Sequence, residues 1–264
     1  MTTLGLVVHP TRPAAQAAAT QLREIADALG LGVADATAGE PCDLVVAIGG
    51  DGTTLRAAGL AAARGLPVMG INVGRLGFLS SANADGLDDA LKAIARGEYA
   101  LEARMLLQAV SGGKDVDPIP AVALNEVALE KTTPTRVIDV DVAVGDELVA
   151  RYTADGFIVA TPTGSTAYSL SAGGPVVEPS QRVMVLTPVS AHSPLWRSLV
   201  VGTDRAITLT LAEGPAMLTV DGRPLARLTP RATVTVTPHP RELQIVRFGG
   251  PGFFKRLQVR FHLP

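Results

Sequence analysis

The first hundred residues alternate between short apolar runs and longer segments with apolar residues three or four positions apart. The short runs are typical of buried strands, and the longer spacing is typical of helices. In chain order, the predicted elements are strand 4–8, helix 13–30, strands 32–36 and 44–48, helix 53–64, strand 68–72 and helix 85–96. This alternation predicts an α/β N-terminal domain, Rossmann-like and built on a parallel sheet.

The pattern changes after about Tyr99 to segments rich in Val, Thr and Leu with period-two alternation. Gly, Pro and Asp turns separate these segments, and period two is the spacing of strands with one buried face. The alternating segments include 137–144, 207–211, 217–220 and 232–237. We therefore expect a β-rich C-terminal domain.

The chain end, Phe253 to Leu263, alternates again, which predicts a half-buried strand that packs back on the body. The predicted division is an α/β domain at 1–98, a β-rich domain at 99–250 and a returning segment at 251–264.

Composition is typical of a globular chain and excludes several function classes. The 264 residues are 47% hydrophobic, which is ample for a buried core. A formal net charge of −2 argues against nonspecific nucleic-acid binding, which needs a basic face. The single cysteine, Cys42, excludes an intrachain disulfide.

We expect neither an export signal nor a membrane span from the apolar runs of the sequence. The first apolar run, 4–8, is too short for a signal-peptide core and ends at His9-Pro10. No apolar stretch approaches the length that spans a bilayer. We expect a cytoplasmic location and no membrane partner.

A glycine-rich turn, Gly49-Gly50-Asp51-Gly52, follows the predicted strand 44–48 and opens a helix. Such a turn aims backbone N–H groups and the positive end of the helix at one point, which favours an anion. Asp51 is an acid in that position. It either caps the helix, accepts the proton of an attacking hydroxyl, or helps to hold Mg²⁺. The last two roles belong to phosphoryl transfer.

A second turn, residues 161–168, also follows an apolar strand and opens a short helix at 163–171. Its hydroxyl groups suit ribose or phosphate, and Tyr168 offers a ring for stacking a base. The alternative is an N-capped helix with a surface tyrosine. A serine hydrolase with Ser165 as nucleophile is not favoured, because Gly164-Ser165-Thr166 is not the Gly-x-Ser-x-Gly elbow.

Asn125 and Glu126 interrupt the apolar run 121–129 and need polar partners if they are buried. They lie either at a solvated strand end or against the hydroxyl or amide groups of a ligand.

Together, these segments resemble the NAD kinase family. The resemblance rests on five segments in the order of the family: Gly49 through Thr53, Asn72 through Leu79 (NVGRLGFL), Asn125-Glu126, Asp155-Gly156, and Thr161 through Pro175 (TPTGSTAYSLSAGGP). Lipid kinases and phosphofructokinases carry similar glycine loops, so the fifteen-residue last segment makes the resemblance specific.

The resemblance implies an enzyme that transfers phosphate from ATP or polyphosphate to the 2′-hydroxyl of the adenosine ribose of NAD. It further implies NAD bound between an α/β and a β-rich domain, and a homo-oligomer, dimer or tetramer, built through the C-terminal half. We expect Mg²⁺ to arrive with the nucleotide, because no Lys follows the glycine loop and no residues have the spacing of a dedicated metal site.

The resemblance also implies roles for individual residues. Asp51 is the base that takes the ribose hydroxyl proton. The donor phosphates face Gly49, Gly50, Gly52, Thr53 and Arg56. The residues implied to bind NAD, besides Asp51 and Gly52, are Phe78, Asn125, Glu126, Asp155, Ser165, Thr166, Ala167, Tyr168 and Ser171.

Two alternative functions share parts of this pattern. A lipid or sugar kinase shares the glycine loop but does not need Asn125-Glu126 together with the 161–175 segment. A noncatalytic dinucleotide sensor binds NAD but has no use for an acid in the donor loop.

Overall fold

The computed structural model describes residues 1–74, 77–113 and 116–263 and divides into two compact units. The first unit contains Met1–Arg104 together with Glu242–Pro264, and the second contains Met105–Arg241. The predicted Arg75 and Leu76 of the second motif lie outside the described residues.

The first unit begins with the alternating strands and helices that the sequence predicts. Its elements up to residue 104 are β1 (Thr3–Val8), α1 (Pro13–Ala28), β2 (Gly32–Asp35), β3 (Leu44–Gly49), α2 (Asp51–Arg64), β4 (Val68–Asn72), β5 (Ala82–Asn83), α3 (Leu87–Arg96) and β6 (Ala100–Arg104). Pro13 stands in the first turn of α1, where its missing N–H is no loss. Every residue of β3 and β4 is buried, as expected for the central strands of a parallel sheet.

The second unit is built from antiparallel strands. Its elements are β7 (Leu107–Gly113), β8 (Val116–Ala123), β9 (Glu126–Lys131), β10 (Ile138–Val144), β11 (Glu147–Ala154), β12 (Gly156–Ala160), α4 (Tyr168–Ser171), β13 (Val183–Val189), β14 (Leu199–Gly202), β15 (Ile207–Glu213), β16 (Ala216–Val220), β17 (Arg223–Leu228) and β18 (Thr233–Pro238).

The strands of the second unit form two sheets that share one apolar core. Their strand orders are β11-β10-β15-β18-β7-β8 and β14-β13-β12-β9-β16-β17. Alternate residues of β10 and β15 are buried, including Val140 and Leu209, and they join Leu129 and Phe157 of the other sheet in a single buried cluster. This arrangement is a β-sandwich.

The chain then returns to the first unit through β19 (Leu243–Arg247) and α5 (Phe253–Phe261). The sheet order of this unit is β2-β1-β3-β4-β19-β6, with β5 beside β4. Strand β19 runs parallel to β4 and antiparallel to β6, so this sheet is parallel except at one edge. The α/β fold class with a β-rich second part is confirmed.

Two sequence-based expectations differ from this architecture. The predicted boundaries at 98 and 250 place β6 and β19 in the β-rich domain, whereas both strands complete the sheet of the first unit. The predicted terminal strand is wrong, because residues 253–261 form helix α5. The ring of Phe78 lies 6.2 Å from that of Phe253 and 6.5 Å from that of Phe261, so helical spacing brings both phenylalanines to one neighbour.

Candidate active site

The glycine loop is the junction of β3 and α2. Gly50 is the N-cap of α2 with an extended backbone, and its carbonyl accepts N–H bonds from Thr53 and Thr54, both at 3.0 Å. Asp51 is the first residue of the helix, and no side chain caps it. The interpretation of Asp51 as a helix cap is therefore wrong. The first backbone N–H groups of α2 are the positive end of the helix dipole.

One side of the loop opens into a cavity of about 360 Å³. A Cβ added at Gly52 meets no atom within 4 Å, so a ligand can approach the backbone closely. The residues that line the cavity are Val8, His9, Pro10, Arg12, Gly50, Gly52, Thr53 and Arg56. Backbone N–H groups, two arginines and a helix N-terminus together suit an anionic ligand.

The cavity contains four of the five residues predicted to face the donor phosphates, namely Gly50, Gly52, Thr53 and Arg56. Gly49 lies instead against the side chain of Thr53, where a Cβ would come 2.3 Å from the Thr53 Oγ1. Sequence reasoning missed Arg12, although it follows strand β1, and the carboxyl ends of neighbouring parallel strands meet at one edge of the sheet.

Asp51 faces the other side of the loop, toward Gly77. A Cβ on Gly77 would lie 2.0 Å from Asp51 Oδ1, so only glycine fits there. The Oδ1 atom is buried and has no hydrogen-bond partner in the described part of the chain. Burial raises the pKa of the Asp51 carboxyl, while the backbone N–H groups of Leu79 and Phe78 oppose the rise.

Two arginines of α5 also act on this carboxylate. The positive charges of Arg260 and Arg256 lower the pKa of Asp51, against the effect of burial. They favour the ionised form, which can accept a proton. Phe78, predicted to border NAD, is half-buried, and its ring packs on α5.

Asn125 and Glu126, at the start of β9, are both buried, so the alternative of a solvated strand end is wrong. The carboxylate of Asp221 accepts the backbone N–H groups of Asn125 at 2.7 Å and Glu126 at 3.2 Å, and that of Leu124 at 2.9 Å. Sequence reasoning missed Asp221. The available signal was its Asp-Gly pair between two strands, because both residues have positive φ, as in a type I′ turn.

Glu126 carries the most perturbed carboxyl group of this region. Burial raises its pKa to about 8, with further contributions from the negative charges of Asp221 and Glu130 and an opposing one from the backbone N–H of Tyr168. Its Oε2 atom is buried without a hydrogen-bond partner among the residues described. With a pKa of about 8, the group is mostly protonated at neutral pH and can then donate a hydrogen bond.

The 161–171 segment folds as a 3₁₀ turn, Gly164–Thr166, followed by α4. Gly164 packs on the backbone of Asn125, where a Cβ would lie 2.1 Å from the carbonyl oxygen. The Ser165 hydroxyl is fully buried, donates to the carbonyl of Pro162 at 2.7 Å and accepts from the N–H of Val177 at 2.9 Å. The Ser165 side chain therefore stabilises the turn, and this arrangement does not support the predicted direct contact between Ser165 and NAD.

The remaining residues predicted for this segment differ in exposure. Thr166 and Ala167 are half-buried, and the Thr166 hydroxyl donates to the carbonyl of Thr163 at 3.3 Å. Ser171 is exposed. Of these three residues, Ser171 is therefore the most accessible to a ligand.

Tyr168 and Asp155 both have partners on β9. The Tyr168 hydroxyl donates to Glu130 Oε1 at 3.1 Å, and burial with the nearby negative charge raises its pKa to about 12. Its ring packs against an apolar patch on the sheet. Asp155 forms an ion pair with Lys131 at 2.5 Å, and both side chains are partly exposed. Glu130 and Lys131 were not singled out from the sequence.

The described residues contain no group of three His, Cys, Asp or Glu side chains arranged to hold a metal ion. No helix in this part of the chain is long and apolar enough to cross a membrane.

An α/β unit whose glycine loop pairs an anion cavity with a buried carboxylate, joined to a β-sandwich unit, defines a nucleotide-dependent phosphotransferase. The family model of the ATP-NAD kinase N-terminal domain matches residues 31–99, and that of the ATP-NAD kinase C-terminal domain matches residues 124–248. The chain belongs to the NAD kinase family, and neither a lipid or sugar kinase nor a noncatalytic sensor is supported.

Individual relatives agree with this assignment. The NAD kinase of Heliobacterium modesticaldum is 44% identical over 220 residues, which cover 83% of this chain and 78% of that protein. NAD kinase 1 of Streptomyces avermitilis is 36% identical, with 100% of this chain and 88% of that protein covered.

Solved structures share the fold. The NAD kinase of Archaeoglobus fulgidus in complex with ATP superposes with a TM-score of 0.75 at 27% identity, covering 97% of this chain and 98% of that one. Yeast NADH kinase complexed with NADH gives a TM-score of 0.86 at 24% identity, covering 98% and 86%.

Proposed function

We propose that this chain transfers a phosphoryl group from ATP to the 2′-hydroxyl of the adenosine ribose of NAD, with Asp51 as the general base. The observation that carries the role of Asp51 is its buried Oδ1 atom, which has no hydrogen-bond partner within the described residues. Leaving a buried carboxylate oxygen unpaired costs free energy. A substrate hydroxyl placed there supplies the missing hydrogen bond and then its proton.

The donor phosphates occupy the cavity at the glycine loop. The N-terminus of α2 attracts their negative charge, and Arg12 and Arg56 line the same cavity. The relative from Archaeoglobus fulgidus, solved with ATP, supports a nucleotide donor. We propose that ATP arrives as its Mg²⁺ complex, since the loop has no following Lys to offset the phosphate charge. Polyphosphate is the alternative donor in this proposal.

NAD binds against the second unit in this proposal. The protonated Glu126 donates a hydrogen bond to the adenosine portion, and the buried Asn125 beside it supplies an amide. Asp221 holds the backbone of both residues through its bonds to their N–H groups, so the main chain that carries these side chains is fixed before the ligand arrives. Tyr168 and Asp155 border the site. A homo-oligomeric state, dimer or tetramer, and a cytoplasmic location remain predictions.

The Asp51→Asn substitution tests the proposed base. Asn has nearly the same size but cannot take the proton, so we expect kcat to fall about 10²- to 10⁴-fold with NAD binding retained. Turnover with saturating ATP and Mg²⁺ and calorimetry with NAD are measured on one preparation. Asp88→Asn is the matched control, because Asp88 is also an acid in the first turn of a helix.

Near-normal turnover of the D51N variant would refute the proposed role of Asp51 as the general base. Loss of NAD binding together with a lower melting temperature would show instead that the charge of Asp51 holds the loop together.

A further inference from the structure

The segment Gly77–Ser80 forms the wall on which the Asp51 carboxylate rests. Gly77 touches it so closely that a Cβ would lie 2.0 Å from Oδ1. The backbone N–H groups of Phe78 and Leu79 face the same carboxylate. The position of Asp51 therefore depends on where this segment lies.

The carbonyl groups of the same segment are held by two arginines from the end of the chain. Arg256 Nη1 donates to the Gly77 carbonyl at 3.3 Å and to the Ser80 carbonyl at 2.7 Å. Arg247 donates to the Ser80 carbonyl at 2.6 Å and to the Phe78 carbonyl at 3.4 Å. Hydrogen bonds from a charged donor are the strong ones.

Arg256 is more specific for the Gly77–Ser80 segment than Arg247 is. Arg247 also forms an ion pair with Glu102 on the edge strand β6, so it stabilises the edge of the sheet as well. Arg256 is buried, and its Nε donates to the carbonyl of Pro251 at 3.0 Å, which ties the guanidinium to the start of α5. Burying a guanidinium is costly, and burial lowers the pKa of Arg256 to about 10.

We propose that Arg256 is a positioning residue for phosphoryl transfer, which fixes Asp51 by holding the Gly77–Ser80 segment against it. The inference rests on the proposed role of Asp51 as the base. Arg256 is not a catalytic residue, because its hydrogen bonds go to main-chain carbonyls and it acts through the segment. A misplacement of about 1 Å at a reacting group costs on the order of 10²-fold in rate.

The test is a double-mutant cycle between Arg256→Met and Asp51→Asn. We expect R256M to lower kcat at least about tenfold with the KM for NAD little changed, since the substitution releases the segment that positions Asp51 and removes a charge that favours its ionised form. In the D51N background, the same substitution should have almost no further effect, because the group that it positions is already lost. Circular dichroism and melting temperatures establish that each variant is folded.

The control is Lys255→Met. Lys255 is the neighbour of Arg256 on α5 and its Nζ bonds to Gln258, so its loss removes a positive charge without touching the 77–80 segment. Its kcat should stay within about twofold of the original enzyme, since exposed interactions contribute little.

An unchanged kcat in folded R256M, or an equal loss in both backgrounds, would overturn the proposal, because a merely structural role gives additive effects. If R256M fails to fold, the same cycle with the shorter, uncharged Arg256→Gln decides, and an unchanged kcat or equal losses again overturn the proposal. A D51N variant with normal turnover refutes the base itself, so the two failures are distinguishable.

Discussion

The Glu126→Gln substitution should change how stability depends on pH. The Glu126 side chain is buried, and its pKa is raised from 4.5 to about 8 by burial and then by Asp221 and Glu130. Between these two pH values, the folded protein holds one proton more than the unfolded chain. The contribution of this group to stability is therefore fully present below pH 4.5 and is lost as the pH rises through about 8.

The magnitude follows from the slope of about 1.4 kcal/mol per pH unit for one proton. From pH 5 to pH 8, the free energy of unfolding of the original protein should fall by about 3.5 kcal/mol through this group alone, because the slope declines as the folded pKa is approached. Gln does not ionise, so the free energy of unfolding of E126Q does not fall in this way between pH 5 and pH 8. The free energy of unfolding of E126Q should thus rise relative to that of the original protein as the pH increases.

Urea unfolding at pH 5, 6, 7 and 8, at constant ionic strength, measures this difference. Glu24→Gln is the control, because Glu24 is an exposed glutamate on α1, and its curve should parallel that of the original protein. If the curves of E126Q and the original protein are also parallel, Glu126 is not a buried, protonated group, and the reasoning about its role as a hydrogen-bond donor fails.

The remaining predictions concern the metal and the second turn. Exhaustive chelation should abolish turnover and added Mg²⁺ should restore it, whereas full turnover in EDTA would show that no divalent metal is needed. Gly164→Ala should lower the free energy of unfolding by about 1–3 kcal/mol, because the new Cβ meets the rigid backbone of Asn125. The control Gly59→Ala, on the exposed face of α2 with nothing within 4 Å, should raise it by about 0.5–1 kcal/mol, and equal effects of the two substitutions would contradict the close packing.

The elements of the first unit could be predicted because each signal is local. Pro13 begins α1, and a fully apolar run marks β3, so the predicted and observed bounds differ by one or two residues. Helix α2 begins at Asp51, two residues before the predicted start at Thr53, because the glycines of the loop hide the first turn. The division into units could not be read in this way, since β19 joins the first sheet by pairing with strands that are distant in sequence.

The terminal segment shows where periodicity is ambiguous. Its apolar residues at 253, 257 and 261 satisfy both a period of two and a spacing of four. The helix forms because Phe253 and Phe261 then meet Phe78 on the same side, and Arg256 on an adjacent face reaches the 77–80 carbonyls. Those contacts are made across the fold, so no local pattern reveals them.

Sequence motifs predicted part of the candidate site, and the structure added residues that contact it from other segments. The glycine loop and Asn125-Glu126 stand out because their residue types break an apolar pattern. Asp221 and Arg256 act through backbone groups of other segments; the Asp-Gly pair marks Asp221 as a turn residue, but the sequence does not show which backbone groups either side chain contacts. The sequence likewise suggests that the Ser165 hydroxyl contacts a ligand. In the structure, this hydroxyl bonds to the backbone of Pro162 and Val177 instead.

The two buried carboxyl groups differ in their surroundings, and this difference supports the roles proposed for them. Asp51 faces backbone N–H groups and the charges of Arg256 and Arg260, all of which favour its ionised form against burial. Glu126 faces Asp221 and Glu130, whose negative charges add to the effect of burial and keep its proton in place. One group is therefore suited to accept a proton and the other to donate a hydrogen bond, as in enzymes that separate acid and base functions by environment. Each group also has a buried oxygen without a hydrogen-bond partner in the described chain, so a ligand hydroxyl at Asp51 and a ligand acceptor at Glu126 would each satisfy a group that is now unpaired.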